Sequence, residues 1–317
     1  MNKRNPSYNA KLLLFGEYSI LLGSSALSIP YSHFRAEFSF IQEDKYTDLK
    51  LAIESQQLLK CLHLSLEDSG NYKDILDLPR FRKELEDGLY LESTIPHSYG
   101  LGSSGAVVAA VYSRYSIKKT SENKLTVSEM EKLRTLFASM ESYFHGTSSG
   151  IDPLTIYVSQ PLLIDKEKKP LVVGIPRNWE REHTSIFLID TGGCGKTNPL
   201  VSKFLDQFAP NGEMNVDAKE FVALTDKCIH NLLNGNTTDF WQSLKALSTF
   251  QLKNLNNLIP SKMKAVWNEG LESGSLIMKL CGSGGGGYLT AFAPDHINAL
   301  EFIKAMHLQH IPVYIAN

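Results

Sequence analysis

Residues 96–105 read Pro-His-Ser-Tyr-Gly-Leu-Gly-Ser-Ser-Gly, and an apolar run, Ala106-Val-Val-Ala-Ala-Val-Tyr112, follows at once. The run predicts a buried helix over 104–117, with small residues and two hydroxyls at its mouth. The first-turn N–H groups of a helix have no internal partners, and the macrodipole adds partial positive charge there. Gly100, Gly102 and Gly105 let backbone approach a ligand closely. Ser103 and Ser104 offer hydroxyls to phosphate oxygens or a magnesium ion. The stretch therefore reads as an anion site, most simply a phosphate site. A Gly/Ser turn capping an ordinary helix reads the same residues equally well, so the rest of the chain must decide.

Around this stretch, short strand patterns cover 8–15 and 33–41, the second alternating through Phe34, Ala36, Phe38 and Phe40. Helical spacing covers 49–66, and a strand over 90–95 runs into Pro96. Residues 126–144 form an amphipathic helix in which Thr126 and Glu129 make a capping box and Gly146 follows the end. Strands are expected after Asp152 and at 185–190. Helical patterns dominate from 199 to 273. Strands at 276–281 and 287–293, a helix near 295–308 and a strand at 312–316 complete the chain. Strands and helices do not alternate strictly, so the pattern favours an α+β fold over a doubly wound parallel sheet. A division into 1–180 and 181–317 is expected.

Bulk properties exclude several classes. The 317 residues suit one large or two medium domains. Hydrophobic content of 43% and charged content of 21% are ordinary for a soluble protein. A net charge of −2 argues against a broadly basic nucleic-acid surface. No apolar run approaches the roughly 18 residues of a membrane span. Leu12–Phe15 is too short for a signal-peptide core. Cys61, Cys194, Cys228 and Cys281 lie far apart with no Cys-x-x-Cys pair, which points to a reduced, cytoplasmic setting without zinc or a disulfide framework.

Four further segments carry chemistry. Lys11 through Gly23 places a lysine at the start of an apolar strand and Glu17 just past a glycine. Glu141 through Asp152 sets one carboxylate at a helix end and a second after a Gly/Ser turn. Two carboxylates beside a phosphate site suit metal binding and base catalysis, although either acid also reads as a cap or a solvated charge. His145 reads as a helix-end histidine. Gly282-Ser-Gly-Gly-Gly-Gly287 follows an apolar run and marks either a close backbone approach or a hairpin loop. Asp190-Thr-Gly-Gly-Cys-Gly-Lys-Thr197 ends like a P-loop, but Asp190 stands where the P-loop pattern needs glycine, and Pro199 interrupts the following helix.

Taken in order, these segments resemble the three motifs of the GHMP kinase superfamily. Lys11–Gly23 is similar to the first. Pro96–Gly105 is similar to the second, Pro-x-x-x-Gly-Leu-Gly-Ser-Ser-Ala, and Gly282–Gly287 to the third. Within the superfamily, His145-Gly-Thr-Ser-Ser-Gly-Ile-Asp152 resembles the His-Gly-x-Pro-Ser-Gly-x-Asp of the mevalonate kinase family. Asp190-Thr-Gly through Thr197 and Val201 is similar to that family's Asp-Thr-Gly-x-x-x-x-Thr-x-x-x-Val. Three positions depart from the pattern. Tyr8-Asn-Ala-Lys11 replaces Ala-Pro-Gly-Lys, Tyr18 stands where histidine is usual, and Ser148 stands at the family proline.

The resemblance implies an N-terminal domain like ribosomal protein S5 domain 2 and a ferredoxin-like C-terminal domain. It implies ATP- and Mg2+-dependent phosphorylation of the C5 hydroxyl of mevalonate. On that implication Asp152 is the base and Lys11 its electrostatic partner. Tyr99, Gly100, Leu101, Gly102, Ser103, Ser104 and Gly105 wrap the ATP phosphates, and Ser104 and Glu141 hold magnesium. Gly282, Ser283, Gly284 and Gly285 support that loop, and Glu17, Tyr18 and Thr197 lie near the acceptor. The partners implied are small molecules, with neither nucleic acid nor membrane, and a homodimer is compatible with the resemblance. A phosphomevalonate or sugar kinase of the same superfamily is the alternative. A non-catalytic ligand sensor should have lost one of Lys11, Ser104, Glu141 and Asp152, and all four are present.

Overall fold

The computed structural model describes residues 6–42, 47–118, 125–176, 183–193 and 198–315. Two compact units emerge, and neither is a single stretch of chain. The first comprises 1–11, 30–96 and 102–160, the second 12–29, 97–101 and 161–317. Strands β1 (Ser7–Phe15) and β2 (Ala26–Phe40) each begin in one unit and end in the other, with a 3-10 turn at Ser19–Leu22 between them.

The first unit continues with α1 (Leu49–Asp68), α2 (Leu78–Glu86), β3 (Leu89–Ser93), α3 (Ser103–Tyr115), α4 (Val127–His145) and α5 (Ile151–Val158). β3 pairs antiparallel with the end of β2, from Ala36 opposite Ser93 to Phe40 opposite Leu89. The alternation read in 34–40 puts Ala36 and Phe38 in the core. Every residue of α3 from Gly105 to Tyr112 is buried, as its apolar sequence requires. Tyr112, Phe137 and Tyr157 bring α3, α4 and α5 together, with ring centroids 5.1–5.5 Å apart.

Helix starts divide by chemistry. Asp48, Asp77 and Thr126 cap α1, α2 and α4 through their side chains, and Thr126 with Glu129 forms the expected capping box. α3 and α5 open instead from left-handed glycines, Gly102 (φ 78°) and Gly150 (φ 69°), with no side-chain cap. At the start of α5, Ser149 Oγ accepts from Ile151 N at 3.4 Å.

Strands were expected after Asp152, and they follow at Leu162–Ile164 and Pro170–Val172; before them lies the helix Ile151–Val158, which the sequence reading left unassigned. A short, apolar, β-branched segment buried on all sides has no periodicity that separates helix from strand. Pro153 sits in the first helical turn, where its missing N–H costs nothing. Helix α2, which the sequence reading did not identify, is a short amphipathic helix capped by Asp77.

The second unit holds β4 (Leu162–Ile164), β5 (Pro170–Val172), β6 (Ser185–Asp190), α6 (Asn198–Phe208), α7 (Val216–Leu233), α8 (Thr237–Asn254), α9 (Ser261–Ser273), β7 (Ile277–Leu280), β8 (Tyr288–Ala293), α10 (His296–Ala305) and β9 (His310–Ile315). β4 pairs with β5 and with the first residues of β2. The other strands form an antiparallel sheet in the order β7-β8-β6-β9. Its strands β7 and β8 are wholly buried. Phe15 packs between Phe240 and Phe292, and Phe221 stacks on Phe250 with centroids 5.3 Å apart. Mixed helices with antiparallel sheets make this the expected α+β architecture.

Candidate active site

In the first unit, Lys11 Nζ stands 2.9 Å from Asp152 Oδ1. β1 supplies the lysine and the first turn of α5 supplies the aspartate. The lysine side chain is 5% exposed and the aspartate 31%, so a buried cation lies against an open carboxylate. Glycines make the approach of α3 possible. A Cβ on Gly102 would lie 2.9 Å from Lys11 Cγ, and one on Gly105 would lie 2.8 Å from the Pro153 nitrogen and 3.0 Å from Asp152 Cβ. Neither position has room for a side chain without displacing the pair.

Glu141, near the end of α4, is buried. Ser104 Oγ donates to its Oε1 at 2.8 Å, and Ser148 Oγ donates to its Oε2. Burial, with the neighbouring Asp152 charge second, pushes this carboxyl up to about 7, while the two serine hydrogen bonds oppose the rise. A group in this state gains from a cation. Two carboxylates and a hydroxyl form a hard oxygen donor set, which suits Mg2+ when phosphate oxygens and water supply the remaining ligands. Among the described residues no group of three or more His, Cys, Asp or Glu side chains is placed to hold a metal alone, so phosphate oxygens would have to contribute.

In the second unit the glycine stretches meet. A Cβ on Gly100 (φ 77°) would lie 3.0 Å from Gly282 Cα, and one on Gly287 would lie 3.0 Å from Tyr99 Cα. The Tyr99 and Tyr288 rings stand 4.8 Å apart, and Leu101 is buried. Gly285 N donates to the Leu258 carbonyl at 2.6 Å, and Thr191 Oγ1 donates to the Gly287 carbonyl at 2.7 Å. Gly284 packs so closely on Leu258 that a Cβ would stand 2.8 Å from its carbonyl oxygen. Beside them, Lys279 Nζ donates to Glu17 Oε1 at 2.5 Å, and both residues are buried. Tyr18 OH donates to the Ser283 carbonyl at 2.5 Å.

Residues 59–160 match the model for the GHMP kinases N terminal domain. The chain has the GHMP kinase fold. Its curated relatives include the mevalonate kinase of Thermococcus sibiricus, 26% identical with 90% of this chain and 88% of the relative aligned. The mevalonate kinase of Pyrococcus furiosus is 24% identical over the same shares. Among solved structures, the Methanococcus jannaschii mevalonate kinase superposes with a TM-score of 0.65 at 20% identity, covering 100% of both chains. Lactococcus lactis galactokinase, solved with galactose, gives 0.67 at 14% identity, covering 99% of this chain and 94% of its own. At these identities the structural likeness speaks for the GHMP kinase fold alone.

The residues singled out in the sequence fall into two groups within this GHMP kinase fold. The first unit gathers Lys11, Gly102, Ser103, Ser104, Gly105, Glu141 and Asp152. The second gathers Glu17, Tyr18, Tyr99, Gly100, Leu101 and Gly282 through Gly285. Thr197 lies outside the described residues. Lys279 escaped the sequence reading, and a lysine in the middle of the run Leu276–Cys281 was the available signal. Ser148 was noted there only as a departure from the family proline; in the structure it supplies a hydroxyl to Glu141, which proline cannot do.

Proposed function

We propose that this protein is an ATP-dependent kinase that phosphorylates the C5 hydroxyl of mevalonate, giving 5-phosphomevalonate and ADP. The carrying observation is the Lys11–Asp152 pair at the uncapped, glycine-lined start of α3, with the Glu141–Ser104 pair beside Asp152. The choice of mevalonate rests on the likeness to archaeal mevalonate kinases and on the motifs around Asp152 and Asp190.

Each group has a task in such a reaction. Phosphoryl transfer needs positioning and charge neutralisation more than covalent help. The start of α3, with its positive dipole end, and the serine hydroxyls would bind phosphate oxygens. Asp152 would accept the proton of the acceptor hydroxyl. Lys11, held 2.9 Å from that carboxylate, would keep it oriented. Glu141 and Ser104 would hold Mg2+, which supplies charge neutralisation on the phosphates. Glu17, Tyr18 and Thr197 would stand on the acceptor side, and the segment 282–285 behind the phosphate loop.

A coupled ADP-release assay over mevalonate, phosphomevalonate, galactose, homoserine and buffer tests this. ADP release that depends on mevalonate is expected. Release with another acceptor alone reassigns the substrate, and release with none removes the kinase reading.

A further inference from the structure

We propose that Tyr18 and Lys279 are positioning residues that fix the glycine segment 282–287 and, through it, the Tyr99–Gly100 half of the phosphate loop. The acceptor-side segment thereby sets the affinity for nucleotide. The inference rests on the kinase reading above and adds to it two residues that act at a distance.

The relay can be followed atom by atom within the second unit. Tyr18 is a non-glycine residue at φ 61°, a conformation that costs energy for an aromatic side chain unless its surroundings hold it. What holds it is visible. Its ring lies 4.8 Å from that of Phe204, and its hydroxyl donates to the Ser283 carbonyl at 2.5 Å. Burial raises the Tyr18 hydroxyl well above its ordinary range, so it stays a protonated donor. The preceding residue, Glu17, is tied to the strand that leads into the same glycine segment. Lys279 is fully buried, donates to Glu17 Oε1 and to the Leu280 carbonyl, both at 2.5 Å, and lies 5.8 Å from the Phe15 ring centroid. Adjacent residues of one turn thus hold β7 through Lys279 and the glycine segment through Ser283, on either side of Cys281.

The grip reaches the phosphate loop because no slack intervenes. Gly282 touches Gly100 backbone to backbone, and Gly287 touches Tyr99 in the same way. A shift of the 282–287 backbone would have to move Tyr99 and Gly100 as well. A buried ion pair is a poor source of net stability but a specific one, since either partner alone is a costly buried charge. In this setting it fixes geometry.

Tyr18→Phe is the informative variant, because it keeps the ring on Phe204 and removes only the hydroxyl. Three measurements are made: binding of a non-hydrolysable ATP analogue with Mg2+, steady-state kinetics, and hydrogen exchange of the 282–287 amides without nucleotide. Wild type is expected to bind the analogue. The variant is expected to bind it about three- to tenfold more weakly, the scale of one lost hydrogen bond. Its 282–287 amides should exchange faster, and the KM for ATP should rise in step with the loss of analogue affinity. Unchanged analogue affinity, or an effect confined to acceptor KM, overturns the proposal. If wild type itself binds no nucleotide, the kinase reading fails and this inference falls with it.

Discussion

Lys11 Nζ sits 2.9 Å from Asp152 Oδ1, with the lysine buried and the aspartate side chain 31% exposed. The asymmetry suits the roles proposed: the ammonium is held in the protein, and the more exposed carboxylate is the one an incoming hydroxyl could reach. Asp152→Asn keeps the shape and removes the base. Its kcat should fall about 10²- to 10⁴-fold, with little change in ATP affinity. Near-normal turnover would sink the assignment.

Glu141 accepts hydrogen bonds from Ser104 and Ser148 and is pushed up to about 7 by burial and by the Asp152 charge. Glu141→Gln conserves size and deletes the charge. A titration of rate against free Mg2+ should show a higher concentration for half-maximal activity. An unchanged requirement places the metal elsewhere.

Gly102, at φ 78°, leaves the space that Lys11 Cγ and Ile156 Cδ1 occupy, 2.9 and 3.3 Å from where its Cβ would stand. Gly102→Ala strains the start of α3 and displaces Lys11 from Asp152. Because small misplacements of catalytic groups are costly, kcat should drop roughly tenfold or more. Gly174→Ala is the control, since its Cβ meets nothing within 4 Å, and it should leave activity and melting temperature unchanged. Equal behaviour of the two variants would show that the close approach at Gly102 has no consequence.

How far the sequence revealed the molecule follows from where each signal resides. α3, α4 and β6 were legible because a uniform apolar run, a capping box and a compact apolar strand are local signals. α5 went unassigned because burial on all sides erases periodicity. The Lys11–Asp152 and Ser104–Glu141 pairings were anticipated through the motif resemblance, whereas their contacts depend on missing Cβ atoms at Gly102 and Gly105. The Glu17–Lys279 pair joins residues 262 positions apart. Only the oddity of a lysine in an apolar strand hinted at it. The units themselves interleave along the chain, which no local pattern encodes.

The raised Glu141 carboxyl also has a consequence for stability in the metal-free protein. Its folded pKa of about 7 lies above the ordinary 4.5, so the folded state binds this proton more tightly than the unfolded state does. The associated stabilisation is fully present below pH about 4.5 and is lost as pH rises through about 7. In EDTA without nucleotide, the wild-type melting temperature should therefore fall across this window relative to Glu141→Gln, which has no proton to lose there. Mg2+ with an ATP analogue should flatten the difference, because a bound cation favours the ionised carboxylate. Parallel melting profiles for wild type and variant in EDTA would mean that the Glu141 carboxyl is not raised. In that case the argument that this site gains from a cation loses its electrostatic basis.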